Sequence, residues 1–104
     1  MTRVLIVDDD AVSCRLLSEV LAAEGLVPLS ETSPLRALER IEREPVDLAI
    51  LDLRMPELSG LELLRRLREH NPTLPVIIMT GFGSVDTAVE AIATGAVDYV
   101  SKPM

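Results

Sequence analysis

The apolar runs of this sequence end at residues that carry carboxylate, hydroxyl and amine groups. Three consecutive aspartates occupy residues 8–10, Asp52 follows a second run, Thr80 follows a third, and Lys102 lies just beyond the last. Carboxylates brought together from separate segments repel one another, and the usual remedies are a raised pKa, a lysine or a divalent cation. Oxygen ligands without histidine favour magnesium, with manganese as the alternative, over zinc.

Such a cluster, with one lysine and one hydroxyl close by, is suited to binding a phosphoryl group. Phosphoryl transfer relies mainly on positioning and on neutralisation of charge, which a metal ion and a lysine supply. The acceptor is expected to be a carboxylate, because no activated serine or cysteine is visible. The three aspartates taken alone have a plainer interpretation as a solvated turn or a helix cap, and we expect Asp10 to be the cap.

The elements that must position these residues are short apolar strands alternating with amphipathic helices, which is typical of a parallel sheet covered by crossover helices. The predicted strands are Arg3 to Val7, Val27 to Leu29, Val46 to Leu51, Val76 to Met79 and Ala96 to Val100. Ser33 and Ser84 are predicted to begin helices, and Gly25 and Gly95 to end them.

Each of the four predicted helices carries apolar residues at helical spacing, which we assign to the core. These residues are Val12, Leu16, Val20 and Leu21 in the first helix, Leu35, Leu38 and Ile41 in the second, Leu61, Leu64 and Leu67 in the third, and Val85, Val89 and Ile92 in the fourth.

The predicted fold is α/β, a flavodoxin-like, doubly wound parallel sheet of five strands in the order 2-1-3-4-5. Right-handed crossovers then place the first helix on one face and the other three on the opposite face. The strand ends that carry the polar residues meet at one rim, near the point where the strand order reverses. A parallel sheet of apolar strands is normally covered by helices on both faces, so the face with one helix is predicted to be an association surface.

Composition excludes several classes of function. The chain has 104 residues, 48% of them hydrophobic, which fits one small domain. Its net charge of -7 makes nucleic acid and anionic membranes poor partners. One cysteine and one histidine argue against a disulfide framework, a zinc site and a histidine-centred triad, and a cytoplasmic location is expected.

Four motifs at the strand ends together resemble one known family over essentially the whole chain. They are Val7-Asp8-Asp9, Leu51-Asp52-Leu53-Arg54-Met55-Pro56 with Ser59-Gly60, Met79-Thr80-Gly81, and Asp98-Tyr99-Val100-Ser101-Lys102-Pro103. The sequence resembles the receiver domain of two-component response regulators. Receivers of this family are signalling switches that accept a phosphoryl group from the phosphohistidine of a partner histidine kinase.

The resemblance implies a role for each matching residue. Asp52 would be the phospho-acceptor, and Mg²⁺, with Mn²⁺ as the alternative, would be held by Asp8, Asp9, Asp52 and the backbone carbonyl of Arg54. Thr80 would supply the hydroxyl that hydrogen-bonds the phosphoryl group, and Lys102 would supply the counter-charge of that group. Tyr99 would be the aromatic residue that turns inward when Thr80 shifts. The peptide bond before Pro103 would be cis.

The run from Met79 to Gly83, with the segments 87–91 and 95–99, is most similar to receivers of the nitrogen-regulation and nitrogen-fixation type, which usually precede a transcriptional output domain. Residues 1–104 are expected to form one receiver domain that stops before the fifth helix of the family. Homodimers are expected through the region of the fourth helix and fifth strand, or through the uncovered sheet face.

Two other classes of function stay open at this point. The domain could be an interaction module that works without phosphorylation, its uncovered face occupied by a partner or a second copy. It could also be an enzyme of the acid-phosphatase kind with an aspartyl intermediate. Leu53 and Arg54 follow Asp52, so the Asp-x-Asp pair that would supply a second acid for turnover is absent.

Overall fold

The structure is a computed structural model, and it describes residues 1–81 and 85–102. Helices and strands alternate along the described chain as β1 (Arg3–Val7), α1 (Ala11–Ala23), β2 (Val27–Glu31), α2 (Pro34–Arg43), β3 (Leu48–Leu51), α3 (Gly60–His70), β4 (Val76–Thr80), α4 (Val85–Thr94) and β5 (Asp98–Ser101).

The strands form one parallel sheet in the order β2-β1-β3-β4-β5, which confirms the predicted flavodoxin-like arrangement. Val7, the last residue of β1, lies beside Glu31 on one side and Leu51 on the other. The chain order reverses between β1 and β3, so their carboxyl ends open into the same crevice.

The strand bounds differ from the predicted ones in four of the five strands. β2 continues through Ser30 and Glu31, because it is an edge strand and polar side chains are tolerated there. β3 begins at Leu48, and the Asp47 carboxylate before it accepts a hydrogen bond from the Arg3 N–H at 2.8 Å. β4 continues through Thr80, and β5 runs from Asp98 to Ser101 rather than from Ala96 to Val100.

Helices cover the two sheet faces unequally, as predicted. The larger core cluster joins the inner faces of α2, α3 and α4 to one side of the sheet, with Leu51 and Ile78 fully buried. The smaller cluster lies under α1, where Cys14, Leu17 and Leu21 pack against Ile6 and Ile50. The acidic residues at the ends of β1 and β3 therefore lie between two packed layers.

The predicted core face of α1 is wrong for three of its four residues. Leu21 packs on the sheet, but Val12, Leu16 and Val20 are 54%, 54% and 59% exposed. Helix α1 carries apolar residues on two faces, and the row containing Cys14, Leu17 and Leu21 is the one that meets the sheet.

The same error affects α4. Val85, Val89 and Ile92 are exposed, and the helix buries the small residue Ala91 instead. In α2, Leu35 is likewise exposed, although Ile41 is buried and Leu38 is partly buried as predicted.

Local signals at helix ends are confirmed where the structure describes them. Asp10 caps α1 by accepting hydrogen bonds from the N–H groups of Val12 and Ser13, and Ser33 caps α2 ahead of Pro34. Gly25 follows α1 with a φ of 84°. The cap predicted at Ser84 lies outside the described residues. In the described part of the chain, no helix is long and apolar enough to span a membrane.

Candidate functional site

Two buried aspartates leave the sheet side by side at the carboxyl ends of β1 and β3. The Asp52 N–H donates to the Val7 carbonyl at 2.8 Å, and the Asp8 N–H donates to the Glu31 carbonyl at 3.2 Å. Backbone pairing thus continues one residue past each strand. Both side chains start from a rigid part of the sheet, and each residue is 5% exposed.

Asp9 completes an acidic cluster with this pair. One carboxylate oxygen from each of Asp8, Asp9 and Asp52 lies within 4.8 Å of the others. The Oδ1 atom of Asp52 is buried, and it makes no hydrogen bond among the described residues. A buried oxygen of this kind beside other carboxylates fits a cation, since hard divalent ions prefer oxygen ligands. These three residues could therefore hold a metal ion.

Lys102 supplies the positive charge of the site. Its Nζ donates to Oδ2 of Asp8 at 2.6 Å and lies 3.5 Å from Oδ1 of Asp52. The Lys102 N–H donates to the Thr80 carbonyl at 2.9 Å, which extends the pairing of β4 and β5 by one residue. The sheet itself therefore delivers this lysine to the two carboxylates.

The electrostatics of the site disfavour the charge on Asp52. Burial raises the pKa of Asp52, the neighbouring charge of Asp8 raises it further, and Lys102 only partly offsets them. For Lys102, burial alone would lower the pKa, but the hydrogen bond to Asp8 and the charge of Asp52 outweigh it and raise the pKa. Additional positive charge would therefore be favourable here.

Asp8 is held at three points. Its Oδ1 accepts from the Asp10 N–H at 3.0 Å, its Oδ2 accepts from Lys102, and its backbone carbonyl accepts from the Cys14 thiol at 3.2 Å. Asp10 turns away from the acidic cluster to cap α1, and the Val12 and Ser13 N–H groups lower its pKa. The three consecutive aspartates thus have different surroundings.

The loop after Asp52 is closed tightly over the strand end. The Gly60 N–H donates to the Leu53 carbonyl at 2.8 Å, and a Cβ at Gly60 would lie only 2.1 Å from the Asp52 carbonyl oxygen. Glu57 has a φ of 71° and accepts a hydrogen bond from the Ser33 hydroxyl at 2.8 Å. Sequence reasoning missed Glu57, because only a glycine there would have signalled a left-handed backbone.

Thr80 and Tyr99 lie on one face of the sheet. Thr80, at the end of β4, is 1% exposed, and the register pairs Thr80 with Ser101 and Ile78 with Tyr99. The Tyr99 hydroxyl lies 2.8 Å from Oγ1 of Thr87 on α4. Sequence reasoning missed Thr87, since a threonine within a helix carries no signal of its own.

Of the two remaining predicted residues, Arg54 and Pro103, only Arg54 lies within the described part of the chain. Arg54 lies in the loop after Asp52, and its side chain is exposed. An exposed side chain is compatible with the predicted role of Arg54, which needs only the backbone carbonyl. Pro103 lies outside the described residues, so its predicted cis peptide bond stays a prediction.

A cavity of about 320 Å³ opens beside the site on the α1 side of the sheet. Asp8 and Lys102 form its polar end, and its walls are mainly apolar side chains, Leu16, Leu17, Val20 and Met79. This cavity lies on the face that the helix distribution leaves less covered.

Comparison with known proteins gives consistent matches. The family model described as response regulator receiver domain matches residues 4–104. Transcriptional regulatory protein ZraR of Klebsiella oxytoca is 43% identical over 101 residues, which are 97% of this chain and 23% of that protein. Regulatory protein AtoC of Escherichia coli K12 is 40% identical over 103 residues, 99% of this chain and 22% of that protein. The chain thus spans less than a quarter of these relatives.

Solved structures agree with the sequence matches. The beryllofluoride-activated NtrC4 receiver domain dimer superposes with a TM-score of 0.94 at 38% identity, covering 100% of this chain and 86% of that one. A response regulator receiver domain protein from Clostridium thermocellum also gives a TM-score of 0.94, at 31% identity, covering 100% of this chain and 84% of that one.

Proposed function

This chain belongs to the response regulator receiver domain family, and from that premise we propose that it is a signalling switch in which Asp52 accepts a phosphoryl group with the help of Mg²⁺. The observation that carries the proposal is the buried Oδ1 of Asp52, which makes no hydrogen bond among the described residues and faces both Lys102 and the other carboxylates.

The surroundings of the three carboxylates favour Asp52 as the acceptor. Both oxygens of Asp8 already accept hydrogen bonds, from the Asp10 N–H and from Lys102. Asp9 is exposed, whereas Asp52 is buried next to a lysine. An attacking oxygen needs an available lone pair and nearby positive charge, and Asp52 combines the two.

The acidic cluster fits a hard cation, so the proposal includes Mg²⁺, with Mn²⁺ as the alternative. Asp8, Asp9, Asp52 and the backbone carbonyl of Arg54 would hold it. When bound, it would neutralise negative charge on the transferring phosphoryl group and on the carboxylates. Charge repulsion among these carboxylates and the raised pKa of Asp52 support this assignment.

The transfer step forms one bond and breaks another. An Asp52 oxygen attacks phosphorus, and the bond between phosphorus and the histidine nitrogen of a partner kinase breaks, so the nitrogen keeps that electron pair. Lys102 offsets charge on the phosphoryl oxygens, and the Thr80 hydroxyl donates a hydrogen bond to one of them. The Tyr99 ring then turns inward as Thr80 shifts. The domain catalyses its own phosphorylation and the slow hydrolysis of the phosphoryl group from Asp52, and it turns over no other substrate.

The proposed partners are a histidine kinase and a second copy of the domain. Val85 and Val89 on α4 and Val97 before β5 are exposed, which supports dimerisation through that region. The apolar cavity beside α1 makes the less covered sheet face the second candidate. The relative ZraR is a transcriptional regulatory protein, and the similar NtrC4 receiver domain was solved as a dimer.

We also propose a domain extent, a cellular location and an absence of nucleic-acid binding. Residues 1–104 form one receiver domain, which controls a transcriptional output domain. It acts in the cytoplasm. With a net charge of -7, the domain itself does not bind nucleic acid.

Intact mass spectrometry tests the acceptor directly. The protein is incubated with acetyl phosphate in Mg²⁺ or in EDTA, alongside the variants Asp52→Asn and Asp10→Asn. We expect one phosphoryl adduct in the wild type and in Asp10→Asn, only with Mg²⁺, and none in Asp52→Asn. Asp10→Asn is the matched control because asparagine also caps helices and residue 10 lies outside the acidic cluster. An adduct that persists in folded Asp52→Asn would refute the assignment.

A further inference from the structure

Helix α4 is attached firmly at its C-terminal half. Ala91 is fully buried, and Glu90 pairs with Arg65 of α3 at 3.2 Å. The Arg68 guanidinium, also from α3, donates to the Gly95 carbonyl at 2.7 and 3.2 Å. Charge-assisted hydrogen bonds and a buried contact together make this end of the helix an anchor.

The first half of α4 is held in a different way. Val85 and Val89 are 79% and 63% exposed, so they contribute little packing. The hydrogen bond between Oγ1 of Thr87 and the Tyr99 hydroxyl, at 2.8 Å, joins this half to β5. Thr87 and Tyr99 are both partly buried, which shields the bond from competing water.

Tyr99 stands between Thr87 and the phosphorylation site. Its neighbour across the sheet is Ile78, two residues before Thr80, and the side chains at 78, 80, 99 and 101 point to the same face. One end of the Tyr99 ring is therefore close to the strand that ends in Thr80, and its hydroxyl is tied to α4.

We propose that Thr87 is a positioning residue that links the Tyr99 hydroxyl to the first half of α4, so that movement of the Tyr99 ring is passed to this helix while Ala91 and Gly95 stay anchored. The proposal rests on the proposed function, because the movement begins with phosphorylation of Asp52. Threonine suits the task because its β-branched side chain has few rotamers, so the hydroxyl moves with the helix backbone.

Amide hydrogen exchange tests the link without any phosphorylation. The variants are Thr87→Val, which removes the hydroxyl with little change of shape, Tyr99→Phe, which removes its partner, and the double variant. Thr87→Ser keeps a hydroxyl and is the matched control. We expect exchange of the hydrogen-bonded amides in the first half of α4 to rise about 2–10-fold in either single variant, the range for loss of one hydrogen bond.

The double variant decides whether the two hydroxyls act together. If they form one link, adding Tyr99→Phe to Thr87→Val leaves the exchange rates of Thr87→Val unchanged, because the second substitution removes nothing further from the link. Rates that multiply, or single variants that exchange like the wild type, would overturn the proposal.

Nuclear magnetic resonance then measures whether movement of the Tyr99 ring reaches α4. Tyr99 is the single tyrosine and the chain has no tryptophan, so ring-labelled tyrosine gives one set of ring signals. After phosphorylation, followed by intact mass, we expect the ring signals and the α4 amides to shift in the wild type and in Thr87→Ser. In Thr87→Val the ring should still respond, and the shifts at residues 85–89 should fall by about half or more.

The two measurements separate the proposals. A folded Thr87→Val that is phosphorylated normally and keeps the full shifts at residues 85–89 overturns the role of Thr87. Absence of a phosphoryl adduct in the wild type counts against the proposed function instead, and the exchange experiment still decides whether the Thr87 to Tyr99 link exists.

Discussion

The Lys102 ammonium group lies 2.6 Å from Oδ2 of Asp8 and 3.5 Å from Oδ1 of Asp52, so two buried carboxylates share one cation unequally. The sequence separation between Asp8 and Lys102 is 94 residues, and the sheet brings them into contact. Two negative charges against one positive charge leave the site short of positive charge.

Removing the charge of Asp52 should stabilise the fold. Its raised pKa means that the folded protein binds this proton more tightly than the unfolded chain does, so the ionised carboxylate opposes folding at neutral pH. We expect Asp52→Asn to raise the free energy of unfolding at pH 7 by about 0.5–2 kcal/mol in EDTA.

The pH dependence checks the sign of this effect. The stability contributed by a carboxyl with a raised pKa is present below its unfolded pKa and is lost as pH rises through its folded pKa. The advantage of Asp52→Asn in urea unfolding should therefore be largest at neutral pH and shrink towards acid pH. An advantage that grows towards acid pH would contradict the electrostatic reason.

Removing the Lys102 charge should destabilise the fold at neutral pH. In Lys102→Met, Asp8 and Asp52 face each other without their shared cation, and we expect a loss of about 1–3 kcal/mol in urea unfolding. The loss should diminish at acid pH as Asp52, whose pKa is raised, binds a proton. Between that acid range and its unfolded pKa, the contribution of Lys102 should be fully present, and because the pKa of Lys102 is raised, this contribution should disappear as pH rises through its folded pKa.

Mg²⁺ should stabilise the protein through the acidic cluster. A ligand that binds only the folded state, at ten times its dissociation constant, adds about 1.4 kcal/mol to the free energy of unfolding. We expect a concentration-dependent rise in melting temperature that EDTA abolishes. Asp9→Asn should strongly reduce this rise in melting temperature, because exposed Asp9 belongs to the cluster, whereas Asp10→Asn should retain the rise. An equal response in these two variants would exclude the cluster as the binding site.

A side chain at Gly60 should disturb the loop after Asp52. The Cβ of Gly60→Ala would lie 2.1 Å from the Asp52 carbonyl oxygen, so the backbone beside Asp52 must move. We expect a loss of about 1–3 kcal/mol and slower phosphorylation by acetyl phosphate.

Gly25→Ala is the comparison for that variant. Gly25 has a φ of 84° and open space around it, so this substitution should cost about 1–2 kcal/mol through backbone strain alone and leave the phosphorylation rate unchanged. If both variants slowed phosphorylation equally, the close approach at Gly60 would not be the cause.

Much of this architecture was predictable because its signals are local. Strand runs, the Asp10 and Ser33 caps and the glycine after α1 depend on neighbouring residues, and the right-handed crossover rule then distributes the helices. The convergence of Asp8, Asp52 and Lys102 followed from the strand order, since each stands at a strand end.

Other features were not predictable, because they depend on tertiary packing. In α1 and α4, two apolar rows compete for the sheet, and periodicity alone favoured the larger residues such as Leu16 and Val89 over Cys14 and Ala91. The Thr87 to Tyr99 hydrogen bond joins residues that carry no common motif. Such contacts become visible only when the elements are packed together.

The loop from Leu53 to Gly60 has a length that two contacts fix together. The Gly60 N–H closes it onto the Leu53 carbonyl, and Glu57 joins it to Ser33, the residue that caps α2. An added or deleted residue would have to break at least one of these contacts beside Asp52. Natural insertions and deletions in this domain should therefore avoid this loop and collect at open turns such as that of Gly25.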